Sequence, residues 1–271
     1  MTNIVPRPAA TVTLVRDAPG GFEVLMVQRN HQSVFMPGVQ VFPGGGVDKR
    51  DFSDDYASLV LDMNDAEASR ILGIASGGMA YWIAAVRESF EEAGMLFACE
   101  SNGEIVTLDG GERASRIHAY RRRVEGDGLT LSAMLREEGL RLPLTQMTYF
   151  SHWITPVGAP RRYDTRFFVA VAPPSQKPVP DNRETISHVW VRPDQALSDH
   201  KKGSFSLRTP TIHTLKLFAE HRETGALIKA MGEIGNIPVI EPRIAKSGRR
   251  VLPGDPEYEL AGTDAGRGEF S

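Results

Sequence analysis

The stretch Arg87-Glu88-Ser89-Phe90-Glu91-Glu92-Ala93-Gly94-Met95 closes a segment whose apolar spacing is strongly helical. A helix is predicted over 79–93, because the glycine that follows stands where a left-handed C-terminal cap is usually needed. At about 100° per residue, Glu88, Glu91 and Glu92 fall on one side of this helix. The opposite side is apolar and carries Trp82, Val86, Phe90, Ala93 and Phe97. The pattern therefore predicts a helix with one packed face and one acidic face.

The acidic face has two interpretations. Three carboxylates at positions i, i+3 and i+4 repel one another by up to about 0.5 kcal/mol per pair, so they favour either solvent or a bound cation. Most acidic helix faces are solvated surface. The alternative is a site for Mg²⁺ or Mn²⁺, because both ions prefer hard oxygen ligands and Mg²⁺ binds few carboxylates together with water and phosphate.

A glycine loop lies upstream of the acidic helix. The segment Gly38-Val39-Gln40-Val41-Phe42 resembles a short strand, and it runs into Pro43-Gly44-Gly45-Gly46, which forces a tight loop with exposed backbone. Further strands are predicted over 10–16, 22–29, 148–154, 166–172 and 185–191, and helices near 112–124, 131–140 and 209–222. These elements predict a mixed sheet flanked by helices.

Composition excludes several classes of protein. The 271 residues include 31 basic and 34 acidic side chains, so no overall positive field favours nucleic acid or an anionic membrane. Cys99 is the only cysteine, which excludes an internal disulfide and cysteine-based metal clusters. Because the sequence shows no targeting segment and no long apolar run, we expect a cytoplasmic protein without membrane or nucleic-acid partners.

The acidic stretch resembles the Nudix box, R-E-U-x-E-E-x-G-U with a preceding G-x5-E. The resemblance implies a Nudix fold of the α+β class, an α/β/α sandwich with a mixed curved sheet between helices. It also implies Mg²⁺- or Mn²⁺-dependent hydrolysis of a nucleoside diphosphate linked to another moiety. The implied metal ligands are Glu88, Glu91 and Glu92 with a backbone carbonyl near Gly44 and Gly45, and the implied catalytic residues include Glu91, Glu92 and Arg87, which orients a carboxylate.

The box is split in this sequence. The best match to its first half is Gly45-x5-Asp51, which places 35 residues before Arg87 where seven are expected. An insertion of 28 residues therefore divides the motif, and an aspartate replaces the usual glutamate. Whether Asp51 still pairs with Arg87 is left open by the sequence.

Two further blocks are similar to the Nudix branch that includes peroxisomal coenzyme A diphosphatases. They are Phe35-Met36-Pro37-Gly38-Val39-Gln40-Val41-Phe42-Pro43-Gly44-Gly45, and Trp153-Ile154-Thr155-Pro156 followed by 161–168. This resemblance implies a coenzyme A or acyl-coenzyme A substrate, cleaved to adenosine 3',5'-diphosphate and an (acyl)phosphopantetheine. The alternatives are another nucleotide substrate, such as NADH or ADP-ribose, and a nucleotide sensor without activity.

Several charged residues outside the box are candidates for the site. Arg161, Arg162 and Arg166 could grip substrate phosphates, or they could pair with Asp164 in a structural role. Arg29 is a further candidate for phosphate binding. Glu184 lies six residues before Trp190 and is either a fourth metal ligand, the general base or a loop carboxylate.

The predicted organisation is one domain over 1–235 followed by an extended tail over 236–271. Helical insertions near 51–80 and 100–147 are expected to act as a lid over the site. Residues 100–147 are also expected to cover the core rather than form it. The tail could serve as a strap in a homodimer.

Overall fold

The computed structural model describes residues 4–32, 37–125 and 128–261. Ten strands occur in these ranges: β1 (Arg7–Ala18), β2 (Gly21–Arg29), β3 (Gln40–Val41), β4 (Gly44–Gly46), β5 (Thr148–Ile154), β6 (Tyr163–Val171), β7 (Thr185–Val191), β8 (Val239–Ile240), β9 (Arg243–Ile244) and β10 (Arg250–Val251). The seven α-helices of the same ranges are α1 (Asp65–Leu72), α2 (Met79–Ala93), α3 (Gly111–Glu125), α4 (Leu131–Glu138), α5 (Pro193–Lys201), α6 (Thr209–Phe218) and α7 (Thr224–Gly232).

Most of the predicted elements are confirmed. The helix predicted over 79–93 is α2, and β5 and β7 have the predicted bounds. The strand predicted over 38–42 is shorter, because Pro43 has no amide hydrogen for a strand ladder and the chain bends before it resumes as β4. The sequence did not predict α5 and α7. Phe35 and Met36 of the predicted entry block lie outside the described residues.

Strand β1 organises a mixed sheet. It pairs antiparallel with β2 and β4 and parallel with β6, in the order β3-β2-β1-β6-β5-β8, and β7 pairs with β2. Because neighbouring side chains of a strand point to opposite faces, Val12 and Leu14 enter the core under α2, whereas Val15 enters the core under α6 and α7. The sheet lies between two helical layers, and the predicted α+β class is confirmed.

The two helical segments over 51–80 and 100–147 form part of the core. Leu59, Ile117, Met134 and Leu140 are all fully buried in the cluster that also contains the apolar face of α2. In the described ranges, no residue of either segment lines the large pocket described below. The predictions of a cover and of a lid are therefore wrong, because the apolar side chains of these segments hold them against α2.

The C-terminal segment is attached to the domain as far as residue 261. Strand β8 pairs in parallel with β5, and β9 and β10 form an antiparallel pair. A small separate cluster stabilises this segment through Ala245, Val251, Tyr258 and Ala261. Residues 262–271 of the predicted tail lie outside the described residues. Across the described ranges, the helices are too short or too polar to cross a lipid bilayer.

Candidate active site

Packing of α2 against the sheet fixes the position of the acidic residues. The Trp82 indole Nε1 donates a hydrogen bond to the carbonyl of Met147 at 3.0 Å, and its ring centroid lies 4.6 Å from that of Phe168 on β6. The helix ends at Gly94, whose φ of 68° is in the left-handed region that favours glycine. Because the helix is anchored along its length, its last two turns present the glutamates in a fixed orientation.

Arg87 joins the two halves of the split motif. Its Nε and Nη2 donate to Asp51 Oδ1 and Oδ2, both at 2.9 Å. Its Nη1 donates to Glu88 Oε1 at 2.8 Å and to Glu91 Oε2 at 3.2 Å. The side chains of Arg87 and Asp51 are only 6% and 0% exposed. The open question of the sequence is thus answered, because the insertion lengthens the chain between these two residues without separating them.

The glycine loop lies directly against the glutamates. The Gly44 amide donates to Glu92 Oε2 at 3.0 Å, and the carbonyl of Gly46 accepts from Arg87 Nη2 at 2.8 Å. A Cβ atom on Gly45 would lie 2.5 Å from Glu88 Oε1. The absence of a side chain at this position therefore creates the space that the Glu88 carboxylate occupies.

Gly45→Ala is expected to lower hydrolytic activity by about 10–100-fold, because the added methyl group displaces the Glu88 carboxylate by a substantial fraction of an ångström. The measurement is kcat/KM at saturating Mg²⁺. Gly46→Ala is the matched control, since its Cβ would meet only the carbonyl of Pro8 at 4.0 Å. Equal activity of the two variants would contradict the close contact at Gly45.

Burial raises the pKa values of all three glutamates. For Glu91, burial and the charge of Glu88 raise the pKa to about 7, although Arg87 opposes them. Burial followed by the charge of Glu88 raises the pKa of Glu92 well above its usual range. The pKa of Glu88 is raised by burial against the lowering effect of Arg87. Ionised, these carboxylates repel one another in a poorly hydrated place, and a bound cation would relieve that repulsion.

The oxygen donors at this place fit a hard divalent cation. Glu91 Oε1 is buried and has no hydrogen-bond partner. Within 4–32, 37–125 and 128–261, no three His, Cys, Asp or Glu side chains already converge as a complete metal cage. Mg²⁺ does not need such a cage, since it binds one or two carboxylates with waters and substrate phosphate. The residues that would hold it are Glu88, Glu91 and Glu92, and the position of the Gly44 carbonyl as a ligand stays a prediction.

A pocket of about 1260 Å³ opens beside the glutamates. Glu88, Glu91 and Glu184 line it, together with Arg29 and Arg161 from the predicted set. Glu184 is exposed, and its carbonyl accepts from the backbone amide that follows Arg29 at 2.8 Å, which brings the start of β7 to the end of β2. The structure thus brings together three of the predicted acidic residues and two of the four predicted arginines.

The other two predicted arginines bind protein groups. Arg162 is 6% exposed and donates to the carbonyl of Thr155 at 2.9 Å and to Glu241 Oε1 at 2.5 Å. Arg166 is 4% exposed and forms an ion pair with Asp164. Neither side chain lines the pocket. The structure therefore corrects the prediction of phosphate binding for Arg162 and Arg166, and supports the structural alternative.

Two residues that sequence reasoning missed hold the C-terminal end of α2. Arg121 on α3 donates from Nε and Nη2 to the carbonyl of Glu91 at 2.9 and 2.7 Å. Thr185 Oγ1 donates to the carbonyl of Glu92 at 2.9 Å. Both contacts join residues far apart in the sequence, so no local pattern indicates them. They satisfy carbonyls that the end of a helix leaves without intrahelical partners.

Comparisons with known proteins agree with this geometry. The chain is 29% identical over 224 residues to the acyl-coenzyme A diphosphatase NUDT19 of Xenopus laevis, an alignment that covers 72% of this chain and 59% of that relative. The NUDT19 of Gallus gallus is 29% identical over 254 residues, which cover 77% of this chain and 67% of that protein. The chain thus spans about three-fifths to two-thirds of the length of these relatives.

A solved structure shares the fold. The crystal structure of a Nudix hydrolase from Alicyclobacillus acidocaldarius is 26% identical in sequence to this chain and matches it with a TM-score of 0.68. The match covers 83% of this chain and 96% of that structure. The family model of the NUDT19 Nudix domain matches residues 5–76 and 66–217. Because these ranges include well over half of the sequence, the chain belongs to the NUDT19 Nudix domain family of Nudix hydrolases.

Proposed function

We propose that this protein hydrolyses the diphosphate bond of coenzyme A or acyl-coenzyme A, giving adenosine 3',5'-diphosphate and an (acyl)phosphopantetheine. The observation that carries the proposal is the intact glutamate set at one end of a pocket large enough for an extended nucleotide: Arg87 holds Glu88 and Glu91, and the Gly44 amide holds Glu92. The activity printed for the NUDT19 relatives, acyl-coenzyme A diphosphatase, supports the choice of substrate.

The acidic residues of the site divide into metal ligands and a proton acceptor in this proposal. Mg²⁺ or Mn²⁺, when bound, neutralises the diphosphate and makes the attacking water more acidic. Glu88 and Glu92 would hold the ion, and the Gly44 amide fixes the Glu92 carboxylate. Glu91 offers its unpartnered Oε1 as a further ligand. Glu184 lines the pocket, and its carboxylate makes no hydrogen bond or ion pair to any described residue, so it can accept the proton of the water.

Arg87 keeps the carboxylates oriented. Burial alone would lower the pKa of its guanidinium, but the hydrogen bonds to Asp51 and the charges of Glu88, Asp51 and Glu91 outweigh burial and raise the pKa. Arg87 therefore stays charged throughout the reaction and supplies no proton. Arg87 is therefore a positioning residue, which holds the carboxylates and does not contact the substrate. The phosphate contacts are assigned to Arg29 and Arg161, which line the pocket.

Two other functions remain as alternatives. The first is hydrolysis of a different nucleotide, such as NADH or ADP-ribose, at the same site. The second is a nucleotide sensor without activity, which the three retained glutamates disfavour. The location in the cytoplasm, the homodimer and the domain limits stay predictions.

A substrate panel distinguishes these functions. The purified protein is incubated with Mg²⁺ or Mn²⁺ and coenzyme A, acetyl-coenzyme A, dephospho-coenzyme A, NADH or ADP-ribose, and the products are separated by chromatography. The proposal predicts adenosine 3',5'-diphosphate from the two coenzyme A substrates. Cleavage of NADH or ADP-ribose alone would replace the proposed substrate, and nucleotide binding without cleavage would favour the sensor.

A further inference from the structure

Charged side chains divide the large pocket into two ends. Among the described residues, all carboxylates that line it lie at one end, on α2 and at the start of β7: Glu88, Glu91 and Glu184. Two arginines, Arg29 and Arg183, flank Glu184 at this acidic end. Three other arginines line the wall formed by the β5–β6 connection, the residue before α6, and β10: Arg161, Arg208 and Arg250. This second wall, the arginine wall, has no carboxylate in the described part of the lining.

An uncharged floor connects the two ends. It crosses the sheet from the glycine strand β4 through β1 and β6 to β5, and three steps of about 4.8 Å make it roughly 14 Å wide. The floor side chains are Ala9, Thr11, Trp153, Thr165 and Phe167. A ligand that contacts both ends must therefore extend beyond a single diphosphate and carry a second negative group.

The C-terminal segment builds the arginine wall. Arg250 Nη1 donates to Thr209 Oγ1 at 2.6 Å, which places β10 at the start of α6 beside Arg208. The same segment is held to the β5–β6 connection, because Arg162 Nη2 donates to Glu241 Oε1 at 2.5 Å. The buried Arg162, predicted from sequence to bind phosphate, thus fixes the segment that carries Arg250. Arg161 and Arg208 are exposed at the pocket surface.

We propose that Arg161, Arg208 and Arg250 form a second anion subsite, which binds a ribose phosphate monoester of the substrate while the glutamate end receives the diphosphate. This subsite rests on the proposed function. It narrows the range of substrates, because it selects nucleotides that carry a ribose phosphate in addition to the diphosphate that is cleaved. A planar guanidinium donates two parallel hydrogen bonds to phosphate oxygens, and a monoester near pH 7 carries close to two negative charges.

Two sources supply this chemistry, the 3'-phosphate of coenzyme A and the 2'-phosphate of NADPH. The test measures kcat/KM for two pairs, coenzyme A with dephospho-coenzyme A and NADPH with NADH. Wild-type protein is expected to prefer the phosphorylated member of one pair by at least about 10-fold, the effect of one charge-assisted hydrogen bond. Arg208→Ala and Arg250→Ala are each expected to reduce that preference about 5–10-fold. The pair that responds identifies the source.

Arg249→Ala is the matched control, since Arg249 neighbours Arg250 but pairs with the exposed Glu257 and does not line the pocket. It should keep the wild-type preference. The subsite is overturned if wild-type protein prefers neither phosphorylated member, or if Arg208→Ala and Arg250→Ala lower kcat/KM equally for both members of a pair.

If the protein hydrolyses none of these substrates, the proposed function is overturned but the subsite is not. A direct binding measurement then tests the subsite. Isothermal titration in the absence of divalent metal compares adenosine 3',5'-diphosphate and adenosine 2',5'-diphosphate with adenosine 5'-monophosphate. One diphosphate is expected to bind wild-type protein at least about 10-fold more tightly than the monophosphate, and Arg208→Ala should remove the difference. Equal affinities in wild-type protein would refute the subsite.

Discussion

Asp51→Ala is expected to lower the free energy of unfolding by about 3–5 kcal/mol, because it leaves the buried Arg87 guanidinium without its bidentate partner. Arg87 and Asp51 make two hydrogen bonds of 2.9 Å, and both side chains are almost fully excluded from solvent. For a domain of this size the melting temperature should fall by roughly 6–15 °C. Urea unfolding at pH 7 followed by circular dichroism measures the change.

An exposed ion pair provides the control for this prediction. Arg249 Nη2 lies 3.3 Å from Glu257 Oε1, with side chains that are 56% and 47% exposed. Arg249→Ala should change the free energy of unfolding by less than about 1 kcal/mol, as is usual for surface pairs. Similar losses for the two variants would contradict the central position assigned to the Arg87–Asp51 pair.

Glu91→Gln is expected to reduce hydrolysis by about 10²–10³-fold, the range for loss of one preorganised charged group at a reaction centre. Burial and the charge of Glu88 raise the pKa of Glu91 to about 7 from 4.5, so its ionised form is disfavoured in the metal-free protein. Such a group takes stability away as the pH rises through this interval, because the folded state binds more protons than the unfolded state.

Metal-free Glu91→Gln should therefore be more stable than wild-type protein at pH 8, by on the order of 1–3 kcal/mol, and should lose this advantage near pH 5. Addition of Mg²⁺ should raise the melting temperature of wild-type protein more than that of the variant. Differential scanning calorimetry at both pH values, with and without EDTA, checks each point. A variant less stable than wild-type protein at pH 8 without metal would show that Glu91 is not held under electrostatic strain.

The acidic helix could be predicted because its signals are local. The spacing of Glu88, Glu91 and Glu92 and the glycine cap at Gly94 lie within seven residues, where helical geometry alone fixes their relation. The resemblance to the Nudix box supplied the chemistry that spacing alone left open. The mixed sheet was also predicted, since the β-branched and aromatic residues of β5 and β7 favour strands.

Contacts that close long loops could not be predicted in the same way. The pairing of Arg87 with Asp51 bridges 35 residues, and whether it forms depends on how α1 and the neighbouring turns pack. Arg121 lies on a predicted helix, but only the folded chain brings it to the carbonyl of Glu91. Polar residues between the apolar ones hid the core contribution of α3 and α4, which produced the wrong prediction of a lid.

The arginines illustrate a second limit. Arg161, Arg162 and Arg166 lie within six residues, but the alternation of a strand and its turn separates them. Arg162 and Arg166 are buried with protein partners, while Arg161 lies at the pocket surface. Arg250 joins that surface from the C-terminal segment, whose Pro, Gly and charge content indicated only an extended strap.

Product analysis of wild-type protein and Glu91→Gln with coenzyme A tests the central claim most directly. Each protein is incubated with coenzyme A and Mg²⁺, and with coenzyme A and EDTA. We predict adenosine 3',5'-diphosphate and phosphopantetheine from wild-type protein with Mg²⁺, and at least about 100-fold less product in the other three reactions. Equal cleavage by Glu91→Gln, or no metal-dependent cleavage by wild-type protein, would contradict the assignment of coenzyme A hydrolysis to these glutamates.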